Sequence, residues 1–594
     1  MIDRTAKLRW RRRYKSRKRQ VEGIGTQAEE HLERHFFKRL ARLSEVRRFV
    51  INWVLLLVLL TGIVAAQSRG LSGYYQDTVS VPGGTVTEGI VGTFTNANPL
   101  YATGTVDSAV SQLVFSGLLK FDEHNKLVGN LAESWQIDER EVTYTVKLRP
   151  NIKWHDGKPL TADDVAFTYA TIQNPDAQSP LFNSWQKIKV EATDPQTVVF
   201  TLPAPLSSFV YSLTNGVVPK HILADIPATQ LRSHRFNTVN PIGSGPFKWD
   251  RIEVIGTTPE ERAEQIGLLP NTEYYKEKPK LQQYIIRSFR DDKRMVESFN
   301  NHELTAISGL DSLPDELKNE KGVKARYVPL TGQVIVFFKT SQEFLADVKV
   351  RKALVQAYDQ SDLLKGFGYP VVASKSPFLP MHIGYNKELI QLSSNKEAAK
   401  KLLDEAGWLP GKGGIRHKND IPLTIRMYSQ SSSEYAYVTQ KLQEQWRAIG
   451  VDVQVFLQQD ADFKSTVSNH AYDALLYGVS LGPDPDAYAY WHSSQADVRS
   501  AYRLNFSEYK STQADKSLEA GRSRSDPTLR ALRYKPFLEA WRTDAPALVL
   551  YQPSFLFVSR GEISGFDPAS LNAATNRYAN IEDWMIRLGK ANKR

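Results

Sequence analysis

The sequence predicts an α/β protein with mixed sheets, carried behind one membrane-spanning helix. Three observations predict it. Phe49–Ala66 (FVINWVLLLVLLTGIVAA) is a run of eighteen residues without a charge. The residues before it are strongly basic, and those after it are nearly neutral. Beyond residue 82, short alternating apolar runs keep changing places with runs of helical period.

The apolar run is long enough to cross a bilayer core at 1.5 Å per residue. Twelve of its eighteen residues are Leu, Ile, Val or Phe, which favours insertion by several kcal/mol. Residues 1–48 hold 16 Lys or Arg against 6 Asp or Glu, whereas residues 49–594 hold 60 against 59. Basic residues beside a span stay in the cytoplasm. The predicted localisation is therefore the cell membrane, single-pass, with a cytoplasmic tail (1–48), an anchor (49–66) and a large extracytoplasmic body. A cleaved signal would need a basic stretch of 48 residues, so an uncleaved anchor is expected; Val64-Ala65-Ala66 is the alternative cleavage point. The cluster Arg9–Arg19 is expected to attract anionic lipid rather than nucleic acid. Leu32, Phe36, Leu40 and Leu43 suit an amphipathic helix running into the span. The chain has no cysteine, which excludes disulfides, thiolate metal sites and a catalytic thiol.

Residues 67–82 (QSRGLSGYYQDTVSVP) are polar and read as a tether. The body that follows is too long for one hydrophobic core. Within it, Val142, Tyr144, Val146 and Leu148 alternate as a half-buried strand, and Val198, Phe200 and Leu202 repeat the pattern. Thr161 with Asp164 forms a capping box that opens a helix faced by Val165, Tyr169 and Ile172. Asp347 opens another. Lys396–Ala406 is helical and stops at Gly407. Val438, Leu442, Trp446 and Ile449 line a helix that ends at Gly450, and Val451, Val453, Val455 and Leu457 alternate after it.

Several bland readings hold. His155-Asp156-Gly157 before Pro159 is a turn rather than a catalytic pair. The eleven histidines show no metal-binding spacing in the body, and Gly411–Gly414 is a loop. No cofactor is implied, and no nucleophile–base set suggests an enzyme.

From Asn130 the sequence becomes distinctive. LAESW (131–135), the strand TYTVKLRP, and WHDGKPLTADDV (154–165) follow one another. They resemble the extracellular solute-binding proteins of the peptide/nickel class, the receptors of ABC importers. Further segments agree in order: PIGSGPF (241–247), VRKALVQAYDQSDL (350–363), AAKKLLDEAGW (398–408), PDPDAY (483–488) and APALVLY (545–551). The resemblance spans roughly residues 83–568.

It implies a two-lobed, periplasmic-binding-protein-like fold of type II, peptide-binding class. The implied bounds are 83–104 with 236–325 and 545–594 for the first-lobe core, 105–235 for an extra subdomain in that lobe, and 326–544 for the second lobe. A peptide or other small solute would be trapped as the lobes close and passed to ABC permease and ATPase subunits. In peptide-binding relatives an acidic residue a few positions before the Asp-Pro pair meets the ligand ammonium. Here Tyr477–Gly482 fills that stretch without a carboxylate, so an uncharged or N-blocked ligand, or a saccharide, is open. The candidate ligand-binding residues are Asn98, Tyr101, Trp185, Tyr477, Ser480, Asp484, Tyr488 and Trp491. A solute sensor or scaffold with a cytoplasmic partner is the other class of function.

Overall fold

The computed structural model describes Lys15 and residues 47–256, 258, 262–500 and 503–592. The expected helix over 31–46 and the basic cluster lie outside the described residues, apart from Lys15. Two compact units result, one of residues up to Val79 with those from Leu588 onward, the other Ser80–Arg587.

The first unit is dominated by the helix Arg47–Tyr75. Its window Phe49–Gln67 has a mean hydropathy of 2.5 and is unburied throughout. Leu55, Leu57 and Leu59 are each at least 60% exposed, a row of apolar side chains that water does not tolerate on a soluble surface. Among the described residues it is the one helix long and apolar enough to cross a membrane. The segment read as a tether differs from expectation. The helix continues to Tyr75, and Gln76–Val81 is a strand paired with Arg587–Asn592. No proline interrupts 67–75, and a nucleated helix gains one hydrogen bond per added residue.

The second unit contains three principal sheets. The first has seven strands in the order Val323–Pro329, Ser554–Arg560, Ala306–Leu310, Thr85–Val91, Gln283–Phe289, Ala263–Pro270 and Phe247–Ile255. Thr85–Val91 runs parallel to both neighbours and the remaining pairs are antiparallel. The second sheet has six: Val372–Ala373, Ala547–Gln552, Gly332–Phe338, Ala474–Ser480, Thr424–Gln430 and Asp452–Gln458. Gly332–Phe338 (GQVIVFF) is buried at every position, as a central strand covered on both faces requires. The third is a four-stranded sheet, Ala132–Ile137, Thr143–Leu148, Thr197–Thr201 and Lys189–Asp194, packed by the helix Ala162–Gln173.

The local sequence signals explain these elements. In Thr143–Leu148, Tyr144, Val146 and Leu148 are buried while Thr145 and Lys147 are exposed. The Thr161 backbone N–H donates to Asp164 Oδ2 at 2.9 Å, and Val165, Tyr169 and Ile172 beneath it are fully buried. Helix Ser433–Arg447 buries Val438, Leu442 and Trp446. Gly450 then takes φ +89°, a left-handed value that lets the chain reverse into Asp452–Gln458.

Two chain crossings join the first and second sheets, Pro329 to Gly332 and Gln552 to Ser554. They are tied together: Leu330 N–H donates to the Pro553 carbonyl at 2.9 Å, and Gln552 Nε2 donates to the Leu330 carbonyl at 3.1 Å. This paired double strand links the two sheets and occupies the place of a hinge between them. Ala547–Gln552, placed by the sequence reading in the first lobe, is therefore a strand of the second sheet, and Val323–Pro329 stays in the first sheet throughout. The runs ALVLYQ and SFLFVSR are equally apolar, and only Pro553, which has no N–H to give a ladder, marks where one sheet ends.

Candidate functional site

The first sheet presents the carboxyl ends of its parallel strands toward the hinge: Leu310 lies opposite Leu556, two residues beyond the crossing, and Val91 sits beside this end. In open α/β sheets that edge is where ligands settle. A cavity of about 260 Å³ opens there between Ile90, Val91, Thr105, Ser308 and Phe555. A second of about 310 Å³ adjoins it and shares Ser108, Ala573 and Thr575. Its wall is amide and hydroxyl: Ser111, Gln112, Asn130, Asn215, Asn572 and Asn576. Lys120 is the one charged residue on that wall, and its ammonium is held by Glu582 at 3.0 Å. Asn572 reaches the hinge, accepting from the Thr331 hydroxyl at 2.9 Å. Neutral donors and acceptors on a partly apolar surface suit a solute recognised through uncharged polar groups.

The third sheet's subdomain and the second lobe meet across the cleft. Ser207 N–H donates to the Arg522 carbonyl at 2.9 Å. The Ser208 hydroxyl donates to Asp486 at 3.3 Å, and Ser525 N–H donates to Glu141 at 2.7 Å. On the second-lobe side Arg522 pairs with Asp486 at 2.9 Å and lies 4.3 Å over the Tyr488 ring. Near the hinge the hydroxyls of Tyr369 and Tyr551 both donate to Glu434 at 2.7 Å. Burial, together with the carboxylate beside each hydroxyl, raises both phenols well above their usual range. Tyr327, from the last strand before the crossing, stacks on Tyr369 at 5.1 Å.

The candidate residues fall into two groups. Tyr477 is half-buried against Phe463 and Phe506, Ser480 is exposed with its hydroxyl 3.4 Å from the Thr331 carbonyl, and Tyr488 stacks on His492 at 4.1 Å. These three remain near the hinge or the cross-cleft contacts. The others are buried. Trp185 is in the subdomain core, 4.0 Å from the Tyr169 ring; its polar neighbours made it look exposed, but a one-turn helix turns it inward. Trp491 is buried on Phe337 and Trp541. Asp484 is clamped by both terminal nitrogens of Arg530 at 2.7 Å, with both side chains at 5% exposure or less. Asn98 is fully buried, donating to Asn237 and accepting from Leu100 N–H, so it closes its own loop; Pro99 and Ala102 line the larger cavity instead. Tyr101 is also buried, and loss of hydration pushes its phenol up to about 12.

The residues the sequence reading missed are Ser108, Asn215, Asn572 and Asn576 on the cavity wall, Ser207, Ser208 and Glu141 on the cross-cleft contact, and Glu434. The Asn-rich segment LNAATN (571–576) is a faint signal for two of them; the rest converge only through tertiary structure. The motif His155-Asp156-Gly157 is a turn, closed by Gly157 N–H donating to the Trp154 carbonyl. His155 is half-buried with its Nε2 3.0 Å from the Gly245 carbonyl, and loss of hydration pulls its imidazole down to about 4.

Two sheets on a double-stranded hinge, with polar cavities on the facing edge and contacts across the cleft, define a two-lobed solute-binding protein. The sequence profile of the bacterial extracellular solute-binding proteins, family 5 Middle, matches residues 126–500, and the chain belongs to that family. It is 28% identical over 517 residues to the oligopeptide-binding protein AppA of Bacillus subtilis, covering 85% of this chain and 92% of that protein. The structure of Bacillus subtilis AppA in complex with a nonapeptide superposes with a TM-score of 0.67 at 26% identity, over 86% of this chain and all of that one. NikZ from Campylobacter jejuni, solved with Ni(L-His), gives 0.70 at 27% identity, over 84% and 99%.

Proposed function

We propose that this chain is a membrane-anchored receptor that captures peptides or related small solutes outside the cytoplasm. The lobes close on the solute, and the closed form delivers it to the permease of an ABC importer driven by ATPase subunits. The observation that carries this reading is the double crossing at Leu330 and Pro553, together with the hydrogen bonds that Ser207 and Ser208 donate to the opposite lobe and that Glu141 accepts from it. The oligopeptide-binding relatives support a peptide cargo, and the mainly amide and hydroxyl wall of the larger cavity supports recognition through backbone amides. The exposed helix Phe49–Gln67 anchors the body, with the basic tail cytoplasmic and close to anionic lipid. The chain binds and releases its solute without changing it.

Titration calorimetry of the full chain in detergent, stripped of co-purified solute and probed with peptide and oligosaccharide libraries, tests the reading. Saturable peptide binding is expected, and the peptide recovered intact. No heat with any ligand, or hydrolysis of the peptide, would overturn it.

A further inference from the structure

At the edge of the first sheet opposite Val323–Pro329 lies a second kind of cavity. It opens where Ile255, Ala263 and Phe289 end three adjacent strands and has a volume of about 300 Å³. Four arginines line it, Arg262, Arg287, Arg290 and Arg294, against Glu297 and Glu303. Arg287 spends one terminal nitrogen on Glu303 at 2.6 Å and the other on Gln265 at 3.1 Å, but its Nε is buried with no partner. Arg294 pairs with Glu297 at 3.2 Å across one turn of the helix Asp292–Asn300. Among the described residues, Arg262 and Arg290 have no carboxylate partner. Two guanidinium charges are thus left over in a concave site that also holds an unsatisfied N–H donor. Guanidinium forks match the oxygens of phosphate in paired hydrogen bonds.

We propose that this cavity is an oxyanion site, distinct from the solute cleft, that takes a phosphate group, either free or on a lipid headgroup. Its strands are the three at the edge of the sheet opposite Val323–Pro329, and it shares no lining residue with the two cavities near the hinge. Arg290 and Arg262 hold the phosphate, and Arg287 contributes its spare donor.

The test is calorimetry on the full chain in non-ionic detergent at fixed ionic strength, with inorganic phosphate and with dihexanoyl phosphatidylglycerol as probes. Saturable binding that weakens as chloride is added is expected. R262Q/R290Q should weaken it by about tenfold or more. Both residues are exposed and, among the described residues, have no carboxylate partner, so the variant should keep the wild-type melting temperature and solute affinity. Tighter binding of the lipid than of phosphate by about tenfold assigns a headgroup; equal binding assigns free phosphate. Absence of saturable binding by both probes, or binding unchanged in R262Q/R290Q, overturns the proposal.

Discussion

Removing the contacts that exist only when the lobes meet should weaken solute binding without harming the fold. Ser208→Ala deletes the hydroxyl that donates to Asp486, and leaves the Asp486–Arg522 pair within the second lobe intact. Glu141→Asn withdraws the acceptor of Ser525 N–H; Asn is chosen because the backbone there has φ +58°, which Asn tolerates. Each is a hydrogen bond to a carboxylate at a partly exposed site, so each contributes about 1 kcal/mol after screening. The two contacts use different partners, so their effects should add to about 2 kcal/mol. Because the open form makes neither bond, the whole loss falls on the closed, solute-holding form. The double variant should bind its solute about 30-fold more weakly, mostly through faster release. Calorimetry and stopped-flow dissociation with the solute that co-purifies read both quantities, and urea unfolding gives the stability control. Unchanged affinity with lowered unfolding stability would refute the reasoning, because the contacts would then be permanent packing rather than closure.

Arg530→Ala leaves Asp484 buried and unpaired, and should cost about 3–5 kcal/mol in urea unfolding; a loss below about 1 kcal/mol would show that water reaches the site. Gly450→Ala places a Cβ 2.7 Å from Arg416 Cγ at φ +89°, and should destabilise by more than about 1 kcal/mol; an unchanged unfolding midpoint contradicts the strain argument. His155 and His382 are both lowered to about 4 by burial. Between pH 6.5 and 4 the unfolded chain binds more protons at these rings, so stability should fall as pH drops through that window. His155→Gln with His382→Gln should flatten this part of the stability–pH curve, and an identical curve would contradict the assignment.

The elements that were legible in sequence are those fixed by near neighbours. Tyr144, Val146 and Leu148 alternate because one face of a strand is buried, and Trp446 to Gly450 reads as a helix end because both signals lie within one turn. What was not legible depends on partners distant along the chain. Asp484 looked available because nothing nearby announces Arg530, 46 residues on. Trp185 and Trp491 looked like cleft aromatics because polar residues flank them, although each is turned into a core. The cavity wall draws Asn130, Asn215 and Asn572 from segments that no local pattern links. The strand Ala547–Gln552 was expected with the first-lobe core but pairs in the second sheet, because strand pairing, not composition, decides which sheet an apolar run joins.

The most direct test of closure uses the absence of native cysteine. Lys187→Cys, exposed in the subdomain, and Lys535→Cys, exposed on helix Pro527–Asp544, give two labelling sites on opposite sides of the cleft. Single-molecule energy transfer between dyes at these positions should show two distances in solute-free protein, and saturating solute should collect the molecules in the shorter one. A single distance, unmoved by a solute whose binding calorimetry confirms, would contradict the two-lobed trap.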